Sequence, residues 1–160
     1  MDKTKIIQLI VEQLTHDLAV QFNAAITAHE ASTHEENIPD NKYETLALEA
    51  SYLAQGQANR AGEIKRALES YKQLTLQQFD DGSAIRLTAL VTIAGEDAAT
   101  RTLFIGPLEG GMKVVANQSE IVIITPASRL GRDLIGKSVG DLVSIGAGSG
   151  GREFEIVRVC

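Results

Sequence analysis

The stretch His34-Glu35-Glu36-Asn37-Ile38-Pro39-Asp40-Asn41-Lys42-Tyr43-Glu44 decides how the chain folds. Long segments of helical pattern flank it, so it reads as the tip of a helical hairpin. Glu35, Glu36, Asp40 and Glu44 crowd there with one lysine, Lys42. Like charges at a protruding end repel one another unless water, a cation or a partner accepts them. The tip is therefore the candidate working end. Asn37 suits a helix N-cap, Pro39 a first turn, and Asp40 an acid near the positive end of the helix dipole. Capping explains those three residues but gives no role to Glu35 and Glu36. Asp40 and Glu44, four residues apart, share a face of the emerging helix.

Upstream, Ile7, Val11, Leu14, Leu18, Gln21, Ala25, Ala28 and Ser32 step alternately by four and three, the spacing of a coiled-coil seam. The seam residues are large at the base and dwindle to Ala and Ser, which lets two helices approach closely and makes the distal end thin. An arm over residues 2–33 reaches roughly 45 Å. From Ile6 through Asn41 there is no Lys or Arg, whereas Glu12, Asp17, Glu30, Glu35, Glu36 and Asp40 are present. A solvated helix face is the ordinary reading of such a run. His16 and His29 lack a second ligand at metal spacing and read as surface or seam residues.

Downstream, Leu46, Ala50, Leu53, Gln57, Arg60, Ile64, Ala67, Tyr71 and Leu74 repeat the four-three rhythm. Two arms of similar length, both tapering towards the turn, predict an antiparallel hairpin. Arg60, Lys65 and Arg66 place positive charge towards its root.

Composition changes near residue 75, and Asp81-Gly82 is a turn signal. The chain divides there into a coiled-coil hairpin, 1–76, and a second domain, 83–160. Strands are predicted over 84–93, 102–105, 113–115, 120–124, 142–145 and 153–159, from β-branched runs between turn residues. Ser128 caps a short helix over 129–135 that Gly136 stops. The fold class is α+β: a helical hairpin followed by a small antiparallel sheet with one short helix. Residues 146–151 read as a hairpin loop and lack the Lys-Ser/Thr of a phosphate-binding loop.

The net charge of −6 argues against a free-standing nucleic-acid binder, which needs clustered Lys and Arg. Cys160 is the only cysteine, which excludes an internal disulfide and fits a reducing cytosol. The apolar run Ile6-Ile7-Gln8-Leu9-Ile10-Val11 is too short for a membrane span or a signal segment.

The hairpin with its Asn41-Lys42-Tyr43 tip is followed by Ser128-Arg129-Leu130-Gly131-Arg132-Asp133-Leu134-Ile135-Gly136-Lys137 and Val139-Gly140-Asp141. In these features the chain resembles the bacterial Gre transcript-cleavage factors of the GreA/GreB type, over nearly its whole length. The resemblance implies an FKBP-like second domain and a cytoplasmic monomer that is not itself an enzyme. Its implied partner is bacterial RNA polymerase, with the nascent RNA 3′ end met only inside the complex and no membrane involved. In that family the hairpin enters the polymerase secondary channel, and tip acids help hold a second Mg²⁺ and a water at the active centre. Carried over, Asp40 and Glu36 are the implied Mg²⁺ ligands and Glu44 the residue that orients water. Ser128, Arg129 and Leu130 are implied to meet the channel rim. The sequence departs from the family at two places. The family's tip reads Asp, two residues, then Glu-Asn, where this chain has Asn37, Ile38-Pro39 and Asp40-Asn41. Arg129 stands where the family usually has Pro.

Three other functions are set against this one. A non-cleaving regulator of the same shape would plug the channel and inhibit transcription. A prolyl isomerase needs an aromatic-lined apolar pocket, for which the second domain offers only Phe104 and Phe154. A purely structural hairpin would serve oligomerisation.

Overall fold

The computed structural model describes residues 1–35, 41–146 and 148–160, and within these all side chains except those of residues 32–35, 41–47, 49, 50 and 149. The chain divides into two compact units, Val11–Lys72 on one side and Met1–Ile10 with Gln73–Cys160 on the other.

Two long helices lead: α1 (Lys3–Glu35) and α2 (Asn41–Lys72). Asp2 starts α1 by accepting the backbone N–H of Thr4 at 2.8 Å, as an N-cap does. Lys72 lies in the last turn of α2, where a cation suits the negative end of the helix dipole. Along α1 the covered face carries Leu14, Leu18, Gln21, Ala25 and Ala28, members of the four-three seam. Leu14 is fully buried, and burial of such a side chain stabilises by about 1.5–3 kcal/mol. Leu18 and Phe22 of α1 share a groove with Lys65 and Gly62 of α2, while His29 shares it with Ser51. The helices therefore run antiparallel as a hairpin.

The seam on α2 differs from the predicted one. Leu53 is 56% exposed and Arg60 is exposed, while Ala54 is half-buried and Ala61 buried. The covered line is Ala54, Gln57, Ala61, Ile64, Leu68 and Tyr71, with the predicted Ala67 also buried beside it. Steps of 3-4-3 and 4-3-4 both satisfy the heptad, and the closer packing of alanine decides between them.

The sheet has six strands: β1 (Leu90–Gly95), β2 (Thr100–Ile105), β3 (Lys113–Ala116), β4 (Ser119–Ile124), β5 (Leu142–Ile145) and β6 (Arg152–Val159). Their order is β3-β4-β2-β1-β6-β5. Four of the pairings are antiparallel as expected, but β2 and β4 run parallel, with Thr102 opposite Ile121 and Phe104 opposite Ile123. The sheet is therefore mixed. Asn117 and Gln118, both at positive φ, make the two-residue turn from β3 to β4.

The first predicted strand begins too early. Residues 84–86 and 89 carry no regular structure and 87–88 form a turn, because Thr88 takes a φ of +72° and Ala89 donates its N–H to Arg86 O at 3.1 Å. The core gathers Ile85, Val91, Ile93, Leu134, Phe154 and Ile156, with Leu130 and Val139 packed against it.

Candidate functional site

α1 ends at Glu35 and α2 begins at Asn41. Glu36 and Asp40, and with them the predicted capping by Asn37 and Pro39, lie outside the described residues. Glu44 lies near the start of α2, and its side chain is likewise outside them. Among the described residues no group of three or more His, Cys, Asp or Glu is placed to hold a metal.

Charge is graded along the hairpin. From Ile6 through Asn41 the sequence holds no Lys or Arg. The cations Arg60, Lys65 and Arg66 come late on α2. Arg60 and Glu63 pair at 3.1 Å, an exposed contact of small energetic weight.

The second predicted site, Ser128-Arg129-Leu130, opens the short helix α3 (Arg129–Leu134). The Ser128 hydroxyl accepts from Gly131 N–H at 3.0 Å and donates to Thr125 O at 2.8 Å, so it serves as the helix cap. Leu130 packs on the core and Arg129 is exposed. The surrounding motif has a structural reason at each fixed position. A Cβ on Gly131 would come within 1.9 Å of Thr125 O. Leu134 is fully buried, and Gly136 (φ +86°) ends the helix and donates to Ile85 O at 2.9 Å. Lys137 Nζ donates to Leu142 O at 2.7 Å, and Asp141 accepts Ser138 N–H at 2.8 Å.

The sequence reading did not single out two features. Phe22 and Ile26 stand exposed beside a groove of about 760 Å³ between the helices. Their signal was present: both are large apolar residues off the four-three seam. At the foot of α1, Lys3 and Arg86 both lie over the Phe79 ring, at 4.6 and 4.5 Å from its centroid. Burial lowers the pKa of Lys3, with Cys160 opposing that shift and Arg86 adding to it.

No family model matches the chain. The transcription elongation factor GreA of Xanthomonas campestris pv. campestris is 31% identical over 155 residues, which cover 95% of this chain and 91% of that protein. GreA of Xylella fastidiosa is 28% identical over 151 residues, covering 92% and 89%. Among solved structures, GreA factor homolog 1 (Gfh1) of Thermus thermophilus aligns over 94% of both chains at 18% identity with a TM-score of 0.39, too low to carry an argument.

Proposed function

The chain belongs to the GreA family of transcription elongation factors, and we propose that it inserts the acidic end of its hairpin into the secondary channel of RNA polymerase and stimulates the polymerase's own cleavage of backtracked RNA. The observation that carries this reading is a paired helical hairpin with an alanine-lined seam, whose sequence from Glu35 to Glu44 holds Glu35, Glu36, Asp40 and Glu44 and one lysine, Lys42. At 33 residues, α1 is about 50 Å long. That length suits reaching a centre far from the surface, and small seam residues suit a narrow passage.

Oxygen donors are the set a hard cation takes. In this reading the ion is one shared with the polymerase active centre. Mg²⁺, when bound, supplies charge neutralisation and an activated water. In this proposal Asp40 and Glu36 would offer it carboxylate oxygens, and Glu44 would accept a hydrogen bond from the attacking water and so orient it. The chain contributes positioning and charge; the catalyst is the polymerase.

Asn37 favours a second reading. It stands where the family carries an acid, and an amide cannot supply that negative charge. On this reading the same hairpin occupies the channel and inhibits without cleavage. Incubation with a stalled, backtracked polymerase complex, with and without Mg²⁺, separates the two. Short 3′ RNA fragments released on addition of the protein support stimulation. Slowed elongation with intact RNA supports inhibition.

A further inference from the structure

Two stretches of the hairpin carry no charged side chain. Residues 18–29 of α1 and 50–59 of α2 hold no Lys, Arg, Asp or Glu; Asp17 and Glu30 bound the first, Glu49 and Arg60 the second. They lie alongside each other, since Phe22 and Ile26 share their groove with Ala54 and Ala58. Within this belt Val20, Phe22, Ile26, Tyr52 and Leu53 are exposed, Phe22 at 58% and Tyr52 at 70%. The exposure runs round the pair rather than along one face. Val20 and Phe22, two residues apart, are separated by about 200° around the axis and leave α1 on opposite sides. Leu53 stands in the same relation to Gln55, which lines the groove, so Leu53 lies on the other flank of α2. Tyr52 is about 200° round from Ala54 of the seam and points away from α1. Helices bathed in water ordinarily carry charge on their outer faces. Here polar groups instead bond along the helices: Thr27 Oγ donates to Asn23 O at 2.9 Å, and Gln55 Nε2 donates to Asn59 Oδ1 at 2.9 Å.

We infer that this charge-free belt is the part of the hairpin gripped on all sides by the apolar walls of a protein passage. The inference rests on the channel reading above, on which the passage is the secondary channel of RNA polymerase. A second copy of the chain, or a groove on another protein, covers one side of a two-helix pair and leaves the opposite apolar side chains in water. Nucleic acid finds no Lys or Arg in the belt to meet its phosphates. An enclosing wall is the occupant that removes Val20, Phe22, Tyr52 and Leu53 from water together, and burial of that apolar surface contributes to docking.

The position of the belt suits the chemistry proposed for the acids. Glu35 ends α1 beyond His29 by about 9 Å along the axis, so a wall that holds the belt leaves the acidic stretch past it. Asp17 and Arg60 mark the rootward edge, where charged side chains begin again.

Binding of the full chain to a stalled, backtracked polymerase complex tests the grip. Val20→Glu, Phe22→Glu and Tyr52→Glu each put one charge on a different side of the belt, at a position exposed in the free chain. Each is expected to weaken binding about tenfold or more, because the charge is buried without a partner, while thermal unfolding of the free chain is kept. Val20→Ile, Phe22→Leu and Tyr52→Phe are expected to bind like the wild type. If the wild type binds and all three charged variants bind as tightly, the grip is overturned and the channel reading stands. A loss confined to one side overturns it too, and self-association of the free wild type lost with that same variant assigns that side to a second copy. A wild type that does not bind the polymerase overturns the channel reading and the grip together.

Discussion

Gln77 donates its backbone N–H to the hydroxyl of Thr88 at 2.9 Å, and Thr88 holds that bond from a backbone with φ of +72°. Thr88 is fully buried, and its carbonyl accepts Lys3 Nζ at 3.2 Å. The same ammonium donates to Gln77 O at 2.6 Å. One strained residue thus ties the first turn of α1, the segment after α2 and the approach to β1. A β-branched residue in the left-handed region is uncommon and persists only where its surroundings over-determine it.

Replacing Thr88 tests that knot. Thr88→Ala removes the acceptor but keeps the strained backbone, and is expected to lower unfolding stability by about 1–2 kcal/mol. Thr88→Gly also loses the hydroxyl but relieves about 1–2 kcal/mol of left-handed strain. Urea denaturation should therefore rank wild type first, glycine second and alanine last, the reverse of the usual order of alanine and glycine.

Two other glycines have opposite expectations. At Gly131 an added methyl meets the Thr125 carbonyl at 1.9 Å, so Gly131→Ala must displace backbone and is expected to cost about 3 kcal/mol or more. Gly62→Ala enters open space and is expected to stabilise by about 0.5–1 kcal/mol through helix propensity. Thermal unfolding followed by circular dichroism measures both.

Ser128→Ala loses the cap bond to Gly131 N–H and the bond to Thr125 O. The expected loss is about 1 kcal/mol, read by the same thermal unfolding, with Ser128→Asp recovering part of it because a carboxylate also caps.

Acid should weaken the chain through Asp80. The Ser83 hydroxyl at 2.8 Å and the Gly82 N–H at 3.0 Å hold this carboxyl below the usual carboxylate range. A depressed pKa in the folded state gives stability that is present above the unfolded value and lost as pH falls through the folded one. Stability measured from roughly pH 5 down to pH 2 should fall less steeply in Asp80→Asn than in the wild type. Equal slopes would remove Asp80 from the account.

The hairpin was legible because a four-three apolar rhythm on both sides of a polar, proline-containing stretch has few other solutions. Its register on α2 was less so, since Leu53 and Ala54 both fit a heptad and only three-dimensional packing sends Leu53 outward. The parallel pairing of β2 with β4 left no local trace, because strand direction is set by partners distant in sequence. Thr88 was hidden for the same reason: its β-propensity predicts a strand, and the bonds from Gln77 and Lys3 that hold it otherwise are non-local. At the second predicted site the motif around Ser128 marked a real helix start, whose residues prove to cap, pack and turn. Phe22 and Ile26 were visible as apolar residues off the seam but had no assigned role.

The tip acids are the centre of the account, and Asp40→Ala tests them most directly. Wild type and variant are compared on a stalled, backtracked polymerase complex, with binding and release of 3′ RNA fragments followed together. The account predicts binding within about twofold of wild type and cleavage reduced at least about tenfold, since a carboxylate that supports a metal-bound water acts on the reaction more than on docking. Cleavage undiminished in Asp40→Ala, or no fragments even from the wild type bound to the complex, would contradict it.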